Sequence, residues 1–160
     1  MNKIAIIMGS QSDLSTLQGA VDLLKEFKVG YEIKVLSAHR TPKELVSYVE
    51  AASNREIKVF IAAAGGAAAL SGVIAAHTII PVIGIPIETK SLKGLDSLLS
   101  TVQMPVGIPV ASMAIGSAGA KNSAIFALEI LGITDKKISS KLLAYKKKMR
   151  AKIKAIKIKI

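Results

Sequence analysis

The segment Ser37-Ala38-His39-Arg40-Thr41-Pro42 contains one of only two histidines in the chain, followed directly by an arginine. Histidine suits proton transfer near neutrality, and arginine is a permanent cation whose planar group pairs with carboxylate or phosphate. The pair predicts an enzyme that moves a proton beside a bound anion. The residues alone leave open that His39 is a hydrogen-bonded surface histidine and Arg40 an ordinary surface charge. The other histidine, His77, is interpreted as a helix C-terminal residue without a catalytic role.

Short β-branched runs alternate with longer segments of helical periodicity along the chain. This alternation is typical of an α/β fold, in which helices cover a parallel sheet. Each run is apolar or nearly so, as expected for strands that are buried on both faces. The predicted strands are Ile4–Met8, Glu32–Leu36, Val59–Ala63, Val82–Ile85 and Val110–Ile115.

Helices are predicted between these strands. The second has the strongest start signal, because Thr41 can cap it, Pro42 suits its first position and Glu44 can reach back to the cap amide. The predicted helices are Leu14–Phe27, one from Pro42, Ala67–Ala76, Leu92–Gln103, Asn122–Leu131 and a last one from near Asp135. The chain is interpreted as one domain, residues 1–160, with 136–160 as a basic C-terminal helical tail.

Polar or glycine-rich loops follow the first three predicted strands. In a parallel sheet, ligands bind outside the carboxyl ends of the strands, where helix N-termini present free amides. Hydroxyls of Ser10 and Ser12 can hold a phosphate and Asp13 can accept from a sugar hydroxyl, but helix capping by Ser12 or Asp13 explains the same residues equally well. Gly65 and Gly66 let a ligand approach the backbone closely, although tight packing of an alanine-rich helix explains them too.

Composition excludes several classes of site. The chain has no cysteine and only two separated histidines, so thiolate and three-histidine metal sites are excluded and no metal is predicted. Three Phe, three Tyr and no Trp disfavour a base-stacking nucleic-acid platform. No apolar run reaches the roughly 20 residues of a membrane span, and the N-terminus does not resemble a signal sequence, which predicts a cytoplasmic protein.

The net charge of +11 is located in the C-terminal tail. Residues 136–160 contain eleven Lys and Arg residues and no acid, whereas residues 1–135 are formally neutral. Ile138, Leu142, Tyr145 and Met149 recur at helical spacing and predict an apolar face that packs on the protein body or on a neighbouring subunit. Nucleic-acid binding through the tail is the less favoured alternative, and neither a nucleic-acid nor a membrane partner is predicted.

Taken together, the loop motifs resemble the bacterial 5-(carboxyamino)imidazole ribonucleotide mutase family of purine biosynthesis over residues 3–132. The resemblance rests on Gly-Ser-x-Ser-Asp at 9–13, Ser-Ala-His-Arg-Thr-Pro at 37–42, Gly-Gly-Ala-Ala at 65–68, and the segments 94–100, 103–111 and 118–124. It implies a three-layer αβα sandwich with a flavodoxin-like parallel sheet of about five strands. It also implies a homo-octamer whose active sites lie where subunits meet, with no cofactor and no metal.

The reaction implied by the resemblance moves a carboxyl group of an aminoimidazole ribonucleotide from the exocyclic nitrogen to ring carbon 4. Carbon dioxide is released and recaptured inside a closed pocket. His39 is then the general acid and base, Arg40 suits the phosphate and Asp13 a ribose hydroxyl. The other substrate-binding residues implied by the resemblance are Ser10, Ser37, Gly65, Gly66, Ala69 and Leu70.

One segment departs from the family pattern, because Ala69-Leu70-Ser71-Gly72 replaces the His-Leu-Pro-Gly that is usual in the bacterial mutases. The related carboxylase branch, which uses aminoimidazole ribonucleotide and carbon dioxide directly, resembles this chain at that segment. Arg40 and residues 103–111 resemble the mutase. The resemblance favours the mutase; the alternatives are the direct carboxylase and a weakly active member with a binding or assembly role.

Overall fold

The computed structural model describes residues 3–158. Residues 1, 2, 159 and 160, which the single-domain interpretation includes, lie outside the described residues. The chain divides into two compact units, Met1–Ala127 and Leu128–Ile160. The first unit contains the sheet, and the second contains the end of one helix and the C-terminal helix. The assignment of residues 1–160 to a single domain stays a prediction.

Strands and helices alternate along the described residues. The strands are β1 (Ile4–Met8), β2 (Tyr31–Val35), β3 (Val59–Gly65), β4 (Val82–Ile87) and β5 (Ala111–Ser112). The helices are α1 (Leu14–Phe27), α2 (Pro42–Glu50), α3 (Leu70–Ala76), α4 (Leu95–Val102), α5 (Ser117–Gly132) and α6 (Lys136–Lys154). Short 3₁₀ turns lie at Gln11–Asp13 and Ser53–Arg55.

The sheet is parallel throughout, with the strand order β2-β1-β3-β4-β5. The predicted α/β class with a flavodoxin-like parallel sheet is confirmed, since this is the flavodoxin order. The chain steps from β1 to β2 in one direction and from β3 to β4 in the other. This reversal opens a crevice beyond the carboxyl ends of β1 and β3. Because such crossovers are right-handed, α1 and α2 lie on opposite faces of the sheet.

The inner strands β1, β3 and β4 are largely buried on both faces. On one face, Ile7 and Phe60 form a cluster with Leu45 of α2 and Ile74 of α3. The alternate side chains, such as that of Ile6, are also completely buried. Helices therefore cover both faces of these strands, which explains why β1, β3 and β4 are continuously apolar, whereas the edge strand β2 is partly exposed and contains Glu32 and Lys34. This three-layer packing gives the loops at the strand ends a rigid base.

The last strand is shorter than the predicted Val110–Ile115, because only Ala111–Ser112 pairs with β4. The Met113 N–H still donates to the Gly84 carbonyl at 2.9 Å. The next bond of a parallel ladder would come from the N–H of residue 86, which is a proline and has none. Pro86 thus ends the pairing after two residues.

Several element boundaries also differ from the prediction. Gly94 has φ +88°, and a helix cannot pass through this left-handed conformation, so α4 begins at Leu95, three residues later than predicted. The helix α3 also begins three residues late, at Leu70, because the N–H groups of Ala68 and Ala69 donate to carbonyls only two residues earlier and not four. The strand β2 is displaced by one residue toward the N-terminus, and α5 begins five residues earlier than predicted.

The capping box predicted at the start of α2 is wrong. Thr41 is the N-cap residue and Pro42 follows it as predicted, but the Thr41 side chain makes no cap hydrogen bond. Instead its hydroxyl accepts from the Ser37 N–H at 2.8 Å and donates to the Ser37 carbonyl at 3.2 Å. The Thr41 side chain therefore closes the loop that carries His39.

The second unit consists of the end of α5 and the whole of α6. Asp135 caps α6, since its carboxylate accepts from two backbone amides of the first turn at 3.0 and 3.3 Å. Ile138 and Leu142 are buried, whereas Met149 is 47% exposed. The predicted apolar face of the tail is thus covered over its first turns. Among residues 3–158, no helix has the length and apolar character needed to cross a membrane.

Candidate active site

The loops after β1, β2 and β3 meet at the crevice and enclose an open cleft of about 380 Å³. They converge because the carboxyl ends of parallel strands lie at the same edge of the sheet, on either side of the chain reversal. The cleft is lined by Gly9, Ser10, Asp13, Ser37, Ala38, His39, Arg40, Ala64, Gly65, Ala67, Ala69 and Leu70.

The loop after β1 forms a capping box around Ser10. The Ser10 N–H donates to the Asp13 carboxylate at 3.2 Å, and the Ser12 N–H donates to Ser10 Oγ at 3.4 Å. The Ser12 hydroxyl also donates to Ser10 Oγ at 2.9 Å. The Asp13 carboxylate therefore has a capping role and still lines the cleft.

Asp13 is the buried charged residue of the cleft and is 9% exposed. Burial raises the pKa of its carboxyl above the ordinary value, and hydrogen bonding to the Ser10 amide and the charge of Arg40 only partly offset this rise. Burial thus removes water from the ionised carboxylate, which loses solvation free energy. A ligand hydroxyl that donates to it would replace the lost water.

The loop after β2 is organised by Ser37. Its Oγ accepts from the His39 N–H at 3.3 Å and from the Arg40 N–H at 3.2 Å. The guanidinium of Arg40 reaches the first loop, where Nη2 donates to the Gly9 carbonyl at 2.8 Å. His39 is exposed at the cleft. The arrangement places a proton-transfer group and a fixed cation in one loop.

The apolar wall of the cleft is formed by the end of β3, the loop that follows it and the first residue of α3, through Ala64, Ala67, Ala69 and Leu70. Leu70 is 2% exposed and begins α3, and Ala69 directly precedes it. This wall carries no titratable side chain, so proton transfer in the cleft depends on the other two loops.

Eight of the nine predicted site residues line the cleft, and Gly66 does not. Gly66 lies in the third loop, where its N–H donates to Ser97 Oγ at 2.9 Å. The roles of these nine residues toward a substrate stay predictions. Ala67, inside the predicted 65–70 loop, also lines the cleft. Sequence reasoning missed Gly9, Ala38 and Ala64, small residues that line the cleft too. Their position within two residues of the ends of the predicted strands was the available signal.

His77 lies outside the cleft lining. It is the C-cap residue of α3, as predicted, and its Nδ1 is 3.4 Å from Glu50 Oε1. Among the residues that the structure describes, no three His, Cys, Asp or Glu side chains cluster in a way that could hold a metal ion.

The family model of AIR carboxylase matches residues 3–152, which include all three loops of the cleft. The chain belongs to the AIR carboxylase family. The family resemblance of the loop motifs is thereby confirmed.

Relatives within the AIR carboxylase family are similar over nearly the whole chain. A Pyrococcus abyssi protein named N5-carboxyaminoimidazole ribonucleotide mutase is 57% identical over 150 residues, which are 94% of this chain and 85% of that protein. A Bacillus subtilis protein of the same name is 54% identical over 139 residues, 87% of this chain and 86% of that protein. The crystal structure of Treponema denticola PurE aligns with a TM-score of 0.85 at 30% identity, covering 94% of this chain and 92% of that one.

Proposed function

We propose that this chain is an N5-carboxyaminoimidazole ribonucleotide mutase. It interconverts 5-carboxyamino-1-(5-phosphoribosyl)imidazole and 5-amino-1-(5-phosphoribosyl)imidazole-4-carboxylate, an intramolecular carboxyl transfer in purine biosynthesis. The observation that carries the proposal is the cleft. It combines His39, Arg40 and Asp13 in a chain that is 57% identical to a protein of that name.

The reaction needs two proton transfers, for which we propose His39. When the bond between the exocyclic nitrogen and the carboxyl carbon breaks, its electron pair stays on nitrogen, and His39 donates a proton there. Ring carbon 4 then attacks the released carbon dioxide, and His39 removes the proton from carbon 4. The histidine ends in the protonation state in which it began, so one residue suffices for both steps.

The other residues of the cleft bind the substrate in this proposal. Arg40 forms paired hydrogen bonds with the phosphate, supported by its bond to the Gly9 carbonyl, which holds the guanidinium at the cleft. Asp13 accepts from a ribose hydroxyl, and the hydroxyls of Ser10 and Ser37 complete the polar side. Gly65, Ala69 and Leu70 belong to the wall against which carbon dioxide is held, and Gly66 acts behind them through the backbone of the same loop.

Retention of carbon dioxide requires a closed pocket, because recapture depends on keeping it beside carbon 4. His39 and Arg40 are exposed in the single chain. We therefore propose that a neighbouring subunit closes each cleft, within a homo-octamer. Sedimentation equilibrium should then give the mass of eight chains of 16.8 kDa each. A monomer with full activity would contradict this assembly.

The alternative reaction is direct carboxylation of aminoimidazole ribonucleotide by carbon dioxide. Ala69 favours it, because this residue stands where the mutases that the chain resembles have a histidine. The two reactions are separated by supplying purified enzyme with the carbamate, or with aminoimidazole ribonucleotide and bicarbonate. The mutase should use the carbamate faster at low bicarbonate. Faster use of aminoimidazole ribonucleotide would establish the carboxylase.

The role of His39 is tested by His39→Asn, with His77→Asn as a matched control outside the cleft. We expect the first variant to lose about 100- to 10,000-fold in kcat while it still binds the nucleotide product. The second should retain turnover. Comparable turnover in both variants would show that His39 is not the acid and base.

We further propose that the reaction uses no cofactor and no metal ion and takes place in the cytoplasm. Enzyme dialysed against EDTA should keep its full rate without ATP or added metal. Restoration of a lost rate by a divalent cation would contradict the metal-free proposal. Imaging of the tagged chain in cells should give a cytoplasmic signal.

A further inference from the structure

A buried hydroxyl outside the cleft holds the glycine-rich loop. Ser97 of α4 is completely buried. Its Oγ accepts from the Gly66 N–H at 2.9 Å and donates to the Ile87 carbonyl at 2.7 Å. It therefore joins the loop after β3 to the last residue of β4. Ser97 does not line the cleft, so it does not contact a substrate there.

Gly66 is the residue of this loop that is bonded to Ser97. Its φ of +69° is a left-handed conformation that glycine adopts at little cost. Its N–H is held by Ser97, whereas the Ser100 hydroxyl, 3.4 Å from its carbonyl, donates to the Asp96 carbonyl at 2.8 Å. Gly65 and Ala67, on either side of it, line the cleft. The position of Gly66 thus fixes the wall of the cleft.

The helix that presents Ser97 is itself fixed on the sheet. Thr101 is 2% exposed, and its hydroxyl donates to the Ser97 carbonyl at 2.7 Å. The Thr101 Cγ2 occupies the space beside Gly84 of β4, where a Cβ would overlap it. Ser97 therefore lies on a helix that is packed in the core, where side chains have few alternative arrangements. Its hydrogen bond attaches the loop of small residues to that core.

We propose that Ser97 is a positioning residue, which sets the backbone of residues 65–69 and so the wall that retains carbon dioxide. This inference rests on the proposed function. Without the hydroxyl, the Gly66 N–H and the Ile87 carbonyl lose their partner, and the loop is free to move away from the reacting carbon. A displacement of about 1 Å in such a position can cost about 100-fold in rate.

The experiment compares Ser97→Ala with Ser123→Ala. Ser123 is also completely buried, and its hydroxyl donates to the Ala120 carbonyl at 2.7 Å within its own helix. Both variants lose one buried hydroxyl, so they are matched for the general effect on stability. At a temperature well below both unfolding transitions, we expect Ser97→Ala to lose about 10- to 100-fold in kcat/KM, with KM raised. Ser123→Ala should keep the wild-type KM, because loss of folded protein lowers only the apparent kcat.

Amide hydrogen exchange gives a readout that does not depend on turnover. In Ser97→Ala, exchange at residues 66–69 should be faster than in the wild type, whereas Ser123→Ala should leave these amides unchanged. If Ser97→Ala does not fold, Ser97→Cys replaces it, since a thiol of similar size forms weaker hydrogen bonds.

The outcomes separate this inference from the proposed function. A wild-type enzyme that does not convert the carbamate contradicts the proposed function, and hydrogen exchange then still decides whether Ser97 holds the loop. Unchanged exchange at residues 66–69, or an unchanged KM in an active Ser97→Ala enzyme, overturns the positioning role of Ser97. Faster local exchange together with a raised KM supports it.

Discussion

The guanidinium of Arg40 and the carbonyl oxygen of Gly9 are joined by a hydrogen bond of 2.8 Å across 31 residues of sequence. This bond connects the loop after β2 to the loop after β1, and it leaves the other donors of the guanidinium available to a ligand. It orients the cation before a ligand binds, which lowers the entropic cost of binding.

We predict that Arg40→Lys raises the KM for the nucleotide. Lysine cannot hold the Gly9 carbonyl and form paired hydrogen bonds with a phosphate at once. A lost charge-assisted hydrogen bond of about 1.5–3 kcal/mol corresponds to about 10- to 100-fold in KM. Steady-state kinetics checks this, with Lys43→Met, at an exposed position on α2, as the control. Equal KM values for Arg40→Lys and the wild type would remove Arg40 from phosphate binding.

We predict that the Asp13 carboxylate lowers the stability of the folded protein at neutral pH and supports substrate binding. Burial raises the pKa of its carboxyl in the folded protein above the ordinary value of 3.8. Its contribution to stability is therefore fully present below pH 3.8 and is lost as the pH rises through the raised pKa. Asp13→Asn should unfold at a higher temperature than the wild type at pH 7, with no such difference at pH 3, as thermal unfolding will show. The same variant should lose about 10-fold or more in kcat/KM, because the hydrogen bond to a ribose hydroxyl is weakened.

Tyr48 gives a second pH dependence, away from the cleft. Burial, together with the hydrogen bond to Glu32, raises the pKa of Tyr48 from 10.0 to about 12. Arg55 lies 4.4 Å above the ring. Since the folded-state pKa is raised, the stabilisation is present below pH 10 and is lost as the pH rises toward 12. Urea unfolding between these pH values should show this loss in the wild type and in Tyr31→Phe, and not in Tyr48→Phe.

Gly84 is where α4 packs against the sheet. A Cβ there would overlap Thr101 Cγ2 and lie 3.0 Å from Val110 Cγ1. Because Thr101 is β-branched and buried, it cannot move aside easily, and Gly84→Ala should cost about 1–3 kcal/mol of unfolding free energy. Thr101→Ser removes the methyl group and keeps the hydroxyl. In the double variant it should restore part of the loss, as chemical denaturation will measure. Additive losses would show that Thr101 is not the obstacle.

Ala69→His tests whether a second histidine in the cleft is required. If His39 alone transfers both protons, the wild type is active and the substitution changes kcat by less than about tenfold. Single-turnover rates with the carbamate measure this. A rise of about 100-fold or more from a baseline near zero would instead identify the natural chain as a weakly active member with a binding or assembly role.

The cleft was largely predictable because its polar residues follow strand ends in sequence. Ser10, Asp13, His39 and Arg40 lie two to five residues after the ends of predicted strands, and the parallel topology brings such positions together. The bond from Gly66 to Ser97 had no such signal, since it spans 31 residues and depends on how α4 packs.

Hydrogen-bond partners and register could not be inferred from composition or periodicity. Thr41 has the sequence context of a helix cap, yet its hydroxyl bonds back to Ser37 because the tight loop places both backbone groups within reach. Pro86 shortens β5 only because its nitrogen points toward that strand, which depends on the register of β4 and β5. Local patterns therefore predicted the elements, and long-range pairing decided their ends.

The shortened β5 bears on how copies of this chain behave when they are concentrated. One edge of the sheet presents only two paired residues, and the other, β2, carries an exposed Lys34. Very short strands and lysines protect sheet edges from pairing with a foreign strand. By shortening β5, Pro86 leaves no long edge strand on that side with which a foreign strand could pair to start cross-β aggregation. We expect copies of the chain to associate through helices and loops and to resist fibril formation.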